Sequence, residues 1–375
     1  MNSGDRVTAQ HWARFAWVAM FLSQGVAWGE TTVIGVIGDY GAAYKGGVWF
    51  SNEQAVANLV RSWNPDFIMT VGDNNYPNNE ASNIDTNIGQ FYHEYIYPYL
   101  GTYGAGATSN RFFPTIGNHD WALGYYGTNG LTPYLDYFTL PGNERYYNYR
   151  YGNVEIFAVA SDQIEPDGAT ATSIQAMWLS NALAASTATW RLVYFHESPY
   201  SSGALHGTQT QQSTNMLWPF KEWGAALILA GHDHLYERVE TNDLTYFVNG
   251  LGGDRIDSFY SQPTAGSQVR YNATYGAQRI DATETNLTVR FINITNEVID
   301  TYTLEVAPAR LTPRLTSNQI VVRIAGTSGR SYLTEASTNL VYWSPISTNL
   351  IEGGPATVTD DRLRNARFYR ARLWR

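Results

Sequence analysis

Two apolar segments near the start of the chain run directly into an aspartate. Residues 31–38 lead into Asp39, and residues 67–72 lead into Asp73. Continuous apolar runs of this length predict strands buried on both faces, and the pattern of residues 51–63 between them predicts a helix. A strand–helix–strand unit places its two strands parallel in one sheet. Asp39 and Asp73 are therefore predicted at neighbouring strand ends, where open α/β sheets bind their ligands.

Other patterns predict the remaining elements of this first domain. The helix should begin with a capping box made by Ser51 and Gln54, and residues 144–159 should form a hairpin. A second helix is predicted over residues 173–185, with an apolar stripe of Ile174, Met177, Trp178 and Leu183. Residues 77–110 are predicted to form a long polar and aromatic loop, a type that is usually functional.

Asp, Asn and His side chains follow five predicted strands in the same manner. The segments are Gly38–Gly41, Gly72–Tyr76, Gly117–Asp120, Val193–His196 and Gly231–His234. Carboxylate, amide and imidazole groups together suit Fe, Mn or Zn. Two such ions about 3.5–4 Å apart are a general device for displacing groups at phosphorus. The five segments therefore predict a two-metal site.

Individual residues of these segments suit different tasks. An Asp can bridge two cations, and a tight turn at Gly231 can direct His232 and His234 to different ions. His119 lies beside the candidate ligand Asn118. It is placed to hydrogen-bond a phosphoryl oxygen or to protonate a leaving alkoxide.

The composition excludes several classes of protein. The chain has no cysteine, which excludes disulfides, thiol catalysis and zinc–thiolate sites. A net charge of -9 and a pI near 5.3 argue against binding nucleic acid through phosphate contacts. We expect no nucleic-acid partner.

Residues 1–29 have the pattern of a secretory signal peptide. Arg6 and Arg14 precede an apolar run over residues 15–22, and the small residues Ala27 and Gly29 occupy positions -3 and -1. We expect export to the periplasm or the extracellular space, with no transmembrane anchor after signal removal. An uncleaved membrane anchor is the main alternative.

The C-terminal part of the chain differs in composition and charge. A catalytic domain is predicted over residues 30–305, a proline-containing linker over 306–314, and a small β-rich module over 315–375. Residues 306–375 contain ten Arg and four Asp or Glu, a charge of +6, which leaves -15 for the preceding residues. A solvated face of a β-module is the favoured interpretation of this charge. Contact with a cell surface or polymer through the module is the alternative.

The five segments resemble the motifs of the calcineurin-like metallophosphoesterase superfamily and, within it, of the purple acid phosphatases. Their patterns GD-x-G, GD-x-x-Y, GN-H-D, V-x-x-H and GH-x-H all occur here, in that order. The deciding residue is Tyr76, because the wider superfamily has no tyrosine at this place in the second motif. The resemblance covers residues 31–300 and is to the small, mammalian-type architecture. It implies an α/β fold, a four-layer sandwich of two mixed β-sheets flanked by helices, with a small all-β module added at the C-terminus.

Carried over to this sequence, the resemblance implies a ligand set for each metal. Fe(III) would be bound by Asp39, Asp73, Tyr76 and His234. Fe, Zn or Mn would be bound by Asp73, Asn118, His196 and His232. His119 matches the family's catalytic histidine, and His206 falls where small relatives have a second histidine on the substrate side.

The implied activity is that of an exported acid phosphatase. It would hydrolyse small phosphate monoesters by in-line attack of a metal-bound hydroxide. A phosphodiesterase or nucleotidase with the same site is the alternative, because substrate choice depends on loops such as residues 77–110 and not on the motifs. A protein that acts chiefly as a surface binder through residues 315–375 is less favoured, because a binder has no need of seven metal-binding side chains.

Overall fold

The computed structural model describes residues 31–45, 47–121, 130–208, 215–316, 319–361 and 367–374. One compact unit comprises Trp28–Val306, and another contains Ala307–Arg375. The predicted signal peptide, residues 1–29, lies outside the described residues. None of the helices in the described ranges has the length and apolar composition needed to cross a membrane.

The first unit is built mainly from strands. In chain order they are β1 (Thr32–Ile37), β2 (Tyr44–Lys45), β3 (Val48–Trp49), β4 (Phe67–Thr70), β5 (Phe112–Pro114), β6 (Tyr147–Tyr151), β7 (Val154–Ala158), β8 (Trp190–Glu197), β9 (Leu227–Gly231), β10 (Tyr236–Thr241), β11 (Leu244–Asn249), β12 (Ser267–Tyr271), β13 (Gly276–Ala282), β14 (Asn286–Asn293) and β15 (Val298–Glu305). Its α-helices are α1 (Asn52–Ser62), α2 (Gln90–Tyr92), α3 (Asn118–Trp121), α4 (Thr132–Tyr137), α5 (Ile174–Ala185) and α6 (Phe220–Trp223).

Most of the strands form two mixed sheets. The first has the order β15-β14-β13-β1-β4-β5, and the second the order β12-β10-β11-β9-β8-β7-β6. In the first sheet β1, β4 and β5 are parallel neighbours, which confirms the predicted strand–helix–strand unit. In the second sheet β7, β8, β9 and β11 are parallel. The fold is the mixed α/β arrangement with few helices that is expected of a metallophosphoesterase.

The core lies between the two sheets and behind the second one. Tyr194 of β8 donates to the carbonyl of Phe113 in β5 at 3.2 Å, and the Tyr236 ring stacks on Phe291 at 4.1 Å. On the outer face of the second sheet, α5 and α6 cover apolar side chains such as Val193. Because both faces are covered, the parallel strands are predominantly apolar, as the sequence indicated, with Glu155 and Arg191 among the exceptions.

Two details of the helix predictions are wrong. Ser51 makes no capping hydrogen bond, because its backbone is already helical (φ -97°, ψ -6°), whereas a side-chain cap needs an extended residue. Gln54 instead donates to Asn58 at 2.9 Å. In α5 only half of the expected stripe faces the core: Leu183 is buried and Trp178 packs against the core, whereas Ile174 is 58% and Met177 55% exposed.

The buried face of α5 contains a polar residue that hydrophobic periodicity could not mark. Gln175 is fully buried and exchanges two hydrogen bonds with the backbone of Ala160, at 2.7 and 2.9 Å. Ala176, Leu179 and Leu183 complete that face. The predicted long loop is also partly helical, with a π-helix at Asp85–Gly89 followed by α2.

The second unit is all-β, as expected. Its strands are β16 (Arg310–Leu315), β17 (Ile320–Ala325), β18 (Ser331–Ser337), β19 (Ser344–Leu350), β20 (Ala356–Asp360) and β21 (Phe368–Leu373). They form two antiparallel three-stranded sheets, β16-β17-β20 and β19-β18-β21. Much of the predicted linker is therefore strand β16. Pro313 is tolerated there because β16 is an edge strand, which needs no donor on its open side.

Candidate metal centre

The polar residues predicted from the five motifs lie at neighbouring strand ends. Asp39 follows β1, Asp73 follows β4, and Asn118 begins α3 shortly after β5. From the second sheet, His196 lies near the end of β8, and His232 and His234 follow β9. Both sheets direct their carboxyl ends to one place, so residues far apart in the sequence meet there.

Three of these residues have a strained backbone. Asp39, Asp73 and His232 have φ values of 55°, 54° and 72°, in the left-handed region that side-chain-bearing residues rarely adopt. Such strain persists only where the surrounding structure imposes it, and it concentrates at functional sites. The strand ends turn sharply here and direct the side chains into a shared space.

Glycines in the motifs allow the segments to approach one another. Gly72 has φ +93°, and a Cβ placed there would lie 2.6 Å from Nδ1 of His196. A Cβ on Gly117 would lie 2.3 Å from the backbone N of Asp73. Real Cβ atoms do not approach other atoms so closely, so any larger residue would move His196 or Asp73.

A first group consists of Tyr76 and the three side chains around its hydroxyl. Its Oη lies 2.9 Å from Asp73 Oδ2 and 3.3 Å from Asp39 Oδ1. His234 Nε2 lies 3.2 Å from the same hydroxyl and 3.2 Å from Asp39 Oδ1. Asp39, Asp73 and His234 can each offer one ligand atom within 4.8 Å of the other two.

A second group surrounds the Nε2 atom of His196. This atom lies 3.0 Å from Asn118 Oδ1, 3.1 Å from His232 Nδ1 and 3.3 Å from Asp73 Oδ2. The other ring nitrogen of His196 donates to the carbonyl of Val71 at 2.8 Å, so Nε2 is the nitrogen that can bind a metal once the ring is neutral. Asp73 Oδ2 belongs to both groups.

The two groups fit two metal ions. Ligands about 2.1 Å from an octahedral metal are about 3 Å from their neighbours. The distances from Tyr76 Oη to Asp39 Oδ1 and to Asp73 Oδ2, 3.3 and 2.9 Å, are close to this value. The first group offers two carboxylates and an imidazole nitrogen around one phenol, which has a single proton to donate. A cation satisfies all of these lone pairs at once.

The charged side chains of the site shift one another's pKa values. Burial alone would lower the pKa of His196, but the Asp73 and Asp39 carboxylates raise it to about 10. Burial, then the charges of Asp73 and Asp39, raise the pKa of Tyr76 well above its ordinary value. Burial and the neighbouring His196 lower the pKa of His232 well below normal, so that ring is neutral, as a metal ligand must be. Ionisation of the Tyr76 phenol therefore requires positive charge at this point.

The two histidines predicted to be catalytic lie on different sides of the site. His119 Nδ1 contacts the Pro77 carbonyl at 2.6 Å, and its Nε2 lies 4.0 Å from Asp73 Oδ2, with the side chain 32% exposed. The His206 ring lies 4.2 Å from the ring of His232. Both are near the candidate ligands, and His119 is open to solvent.

Sequence reasoning missed residues that support this site. Asp254 and Arg255 follow β11, which lies parallel to β9 and therefore ends at the same edge. The Gly-Gly pair before Asp254 was a further strand-end signal of the same kind. Lys45, which pairs with Asp254, gave no signal, because its position depends on where the short strand β2 lies.

Comparison with known proteins identifies the fold. The family model of the calcineurin-like phosphoesterases matches residues 32–236, more than half of the chain. A comparison with curated protein sequences finds no match. Among solved structures, purple acid phosphatase PPD1 from yellow lupin (Lupinus luteus) seeds is similar with a TM-score of 0.57 and 16% identity, over 74% of this chain and 54% of that one. GAP50, the anchor in the inner membrane complex of Plasmodium, has a TM-score of 0.53 and 17% identity, over 73% of this chain and 89% of its own.

At these identities the solved structures establish similarity of fold alone. The chain spans about half the length of the lupin protein, since the match covers 54% of it. The family match is more specific, because residues 32–236 include both groups of side chains around Asp73. The chain belongs to the calcineurin-like phosphoesterases, a family of metal-dependent phosphoesterases.

Proposed function

We propose that the chain is an acid phosphatase that hydrolyses phosphate monoesters at a centre of one Fe(III) and one Fe, Zn or Mn. The observation that carries this proposal is the position of Tyr76. Its hydroxyl lies within 3.3 Å of Asp39, Asp73 and His234 atoms that can bind the same ion. A phenolate ligand is typical of the purple acid phosphatases and is not a feature of the wider superfamily.

Each ion would have four protein ligands. Fe(III) would be held by Asp39, Asp73, Tyr76 and His234, and the divalent ion by Asp73, Asn118, His196 and His232. Ions at these positions would supply positive charge to phosphoryl oxygens and lower the pKa of coordinated water. The protein side chains would hold the two ions, with the partly exposed His119 beside the shared ligand Asp73.

His119 is the proposed proton donor. The Pro77 carbonyl 2.6 Å from Nδ1 fixes the ring, so that Nε2 faces the site. A protonated imidazole would give its Nε2 proton to the leaving alkoxide. His206 would hydrogen-bond the substrate from the side of His232, whose ring it contacts.

Purified protein tests this proposal directly. We expect two metals per chain, one of them iron, a visible absorption band from iron and phenolate, and faster turnover of a phosphate monoester than of a diester at acid pH. Dominant diester hydrolysis would contradict the choice of substrate. A colourless, fully active enzyme with two zinc or manganese ions would contradict the Fe(III)–tyrosinate assignment.

We also propose that residues 1–29 direct export and are removed. The apolar run over residues 15–22 and the small residues before Glu30 support this. The N-terminal sequence of protein recovered outside the cytoplasm tests it. A mature protein that still begins at Met1 and stays with the membrane would favour the uncleaved anchor.

A basic face of the second unit supports a further proposal, contact with an anionic surface polymer. Arg310 and Arg314 lie on one face of β16, and Arg323 of β17 lies opposite Thr312, between them. All three arginines are exposed, whereas the other face of this sheet packs in the core through residues such as Ile324. We call these three residues the arginine face.

Other arginines of this unit form ion pairs among the described residues. Arg367 pairs with Asp360, and Arg370 and Arg372 both pair with Glu335. Along β16 the two arginines of the arginine face are about 13 Å apart. Such spacing suits the repeated carboxylates or sulfates of a polysaccharide.

A further inference from the structure

The ion pair between Lys45 and Asp254 lies beside two of the proposed iron ligands. The chain has two lysines, Lys45 and Lys221. Lys45 Nζ lies 2.5 Å from Asp254 Oδ1 and 4.5 Å from the centre of the Tyr76 ring. The other oxygen of Asp254, Oδ2, lies 3.7 Å from Nδ1 of His234. Lys45 thus lies over Tyr76, and Asp254 lies beside His234. These are the two candidate ligands of the first group that are not aspartates.

The position of Asp254 is fixed by the backbone. Its N–H donates to the carbonyl of Asp39 at 3.2 Å, and nearby Gly252 donates to the carbonyl of Gly38 at 2.9 Å. The loop after β11 is therefore tied to the loop after β1. The Asp254 side chain is only 5% exposed, and Arg255 lies on its outer side at 3.5 Å from Oδ2. Asp254 is held where its carboxylate faces His234.

The pair differs from an ordinary surface salt bridge. Exposed pairs contribute little because water screens them and both side chains are mobile. Here the carboxylate is buried, the lysine side chain is 28% exposed, and the ammonium also lies over an aromatic face. A cation in that position interacts favourably with the ring electrons, and more strongly when the ring has a negative charge.

We propose that Lys45 and Asp254 are positioning residues of the metal centre. Asp254 Oδ2 and His234 Nδ1 are both buried without a hydrogen-bond partner among the described residues, and at 3.7 Å they lie just beyond hydrogen-bond distance. When a metal holds Nε2, Asp254 would accept the Nδ1 proton and keep Nε2 directed to the metal, as carboxylates commonly do for metal-binding histidines. Lys45 neutralises Asp254 and stabilises negative charge on Tyr76. This inference rests on the proposed function in one respect, that a metal binds Tyr76 and His234.

The visible spectrum of single variants tests the role of Lys45. The absorption band of an iron phenolate arises from electron transfer from phenolate to iron, and a cation beside the phenolate lowers the energy of the donor electrons. We expect K45M to move the band to longer wavelength and K45R to restore it. K221M removes the other lysine, which is exposed on α6, and should leave the spectrum unchanged. An unchanged band in K45M, with its metal retained, would overturn the role of Lys45.

Metal loss to a chelator gives a second measurement that needs neither colour nor turnover. We expect K45M and D254N to bind metal about 10–100-fold more weakly than wild type, the effect typical of residues that support metal ligands. K221M should match wild type. Equal rates of metal loss in all four proteins would overturn the inference.

The two measurements separate this inference from the proposed function. A wild-type protein that binds two metals without a visible band would contradict the Fe(III)–tyrosinate assignment alone. In that case faster metal loss from D254N than from K221M would still support the positioning role of Asp254. A wild-type protein that binds no metal would overturn both.

Discussion

Asn74 donates hydrogen bonds to the Asp120 carboxylate from both its backbone and its side chain. The backbone N of Asn74 donates to Asp120 Oδ1 at 3.0 Å, and the side-chain Nδ2 donates to Oδ2 at 2.7 Å. Oδ2 also accepts from the backbone N of Gly117 at 2.8 Å. Asn74 follows Asp73, and Asp120 lies two residues after Asn118. This fully buried pair therefore fixes the two loops that contain the candidate ligands Asp73 and Asn118.

We predict that Asn74→Ala lowers the free energy of unfolding by about 1–3 kcal/mol, because it leaves the buried Asp120 carboxylate with fewer donors. Thr70 and Tyr40, which both donate to Asn74 Oδ1, also lose their acceptor. Urea unfolding measures the change. Asn58→Ala is the matched control, since Asn58 makes a single exposed hydrogen bond to Gln54. Equal effects of the two variants would contradict this prediction.

Substitution of Gly72 should weaken metal binding by the second group of side chains, the one around Nε2 of His196. Gly72→Ala introduces a Cβ 2.6 Å from the His196 ring, at a φ of +93°. Gly47→Ala is a matched control, because Gly47 has φ +86° and nothing lies within 4 Å of its Cβ position. We expect both variants to lose about 1 kcal/mol of stability from backbone strain. Only Gly72→Ala should also lose metal, measured as metal per chain. Full metal content in that variant would contradict the steric argument.

The sequence predicted the placement of the candidate ligands at strand ends better than it predicted the helices. Asp39 and Asp73 could be placed because buried parallel strands have a distinct pattern, and their ends meet by topology alone. The buried face of α5 could not be predicted, because Gln175 is buried through hydrogen bonds to Ala160 and not through hydrophobicity. Lys45 was also out of reach. Its role depends on contacts with Asp254, 209 residues away, which no local pattern records.

Removal of the Tyr76 hydroxyl should remove the visible absorption band without removing the metal. Tyr76→Phe deletes the proposed phenolate donor but retains the carboxylates of Asp39 and Asp73. We expect the visible band to disappear while metal remains bound. Tyr92→Phe is the control, because Tyr92 is equally buried and its hydroxyl has no partner among the described residues. A band that survives in Tyr76→Phe would exclude Tyr76 as its source.

Glu53 should make the fold less stable as the pH rises. Burial raises its pKa well above the usual 4.5, although the backbone N–H groups of Ala43 and Ala42 donate to Oε2 and oppose the shift. The folded chain therefore holds this proton more tightly than the unfolded chain. Its stabilising effect is fully present below pH ~4.5 and is lost as the pH rises towards the folded pKa.

We predict that Glu53→Gln reduces this loss, because glutamine keeps an acceptor for the two N–H groups and does not ionise. Urea unfolding of wild type and variant at pH 4.5 and pH 8 gives the difference between their pH dependences. Comparison with Glu222→Gln, an exposed carboxyl on α6, corrects for the loss of one negative charge. Identical pH dependence in all three proteins would show that Glu53 is not the group responsible.

The arginine face makes a prediction about retention on an anionic polysaccharide. We expect the triple variant R310Q/R314Q/R323Q to elute from immobilised heparin at lower salt than wild type, because salt screens these exposed charges. The variant R61Q/R150Q/R270Q removes the same charge from exposed sites of the first unit and should elute with wild type. Phosphatase turnover should stay unchanged in both, which separates retention from catalysis.

The comparison between the two triple variants decides whether retention on heparin depends on where the arginines lie or only on the net charge of the protein. If retention followed net charge alone, both variants would shift by the same amount, since each loses three positive charges. If the arginine face binds heparin, only the first variant should elute at lower salt, because Arg310, Arg314 and Arg323 lie together on one sheet surface. Equal shifts would therefore contradict a defined binding face. Stronger retention of wild type on immobilised DNA than on heparin would contradict the choice of a polysaccharide, because the face would then favour phosphate polymers of another class.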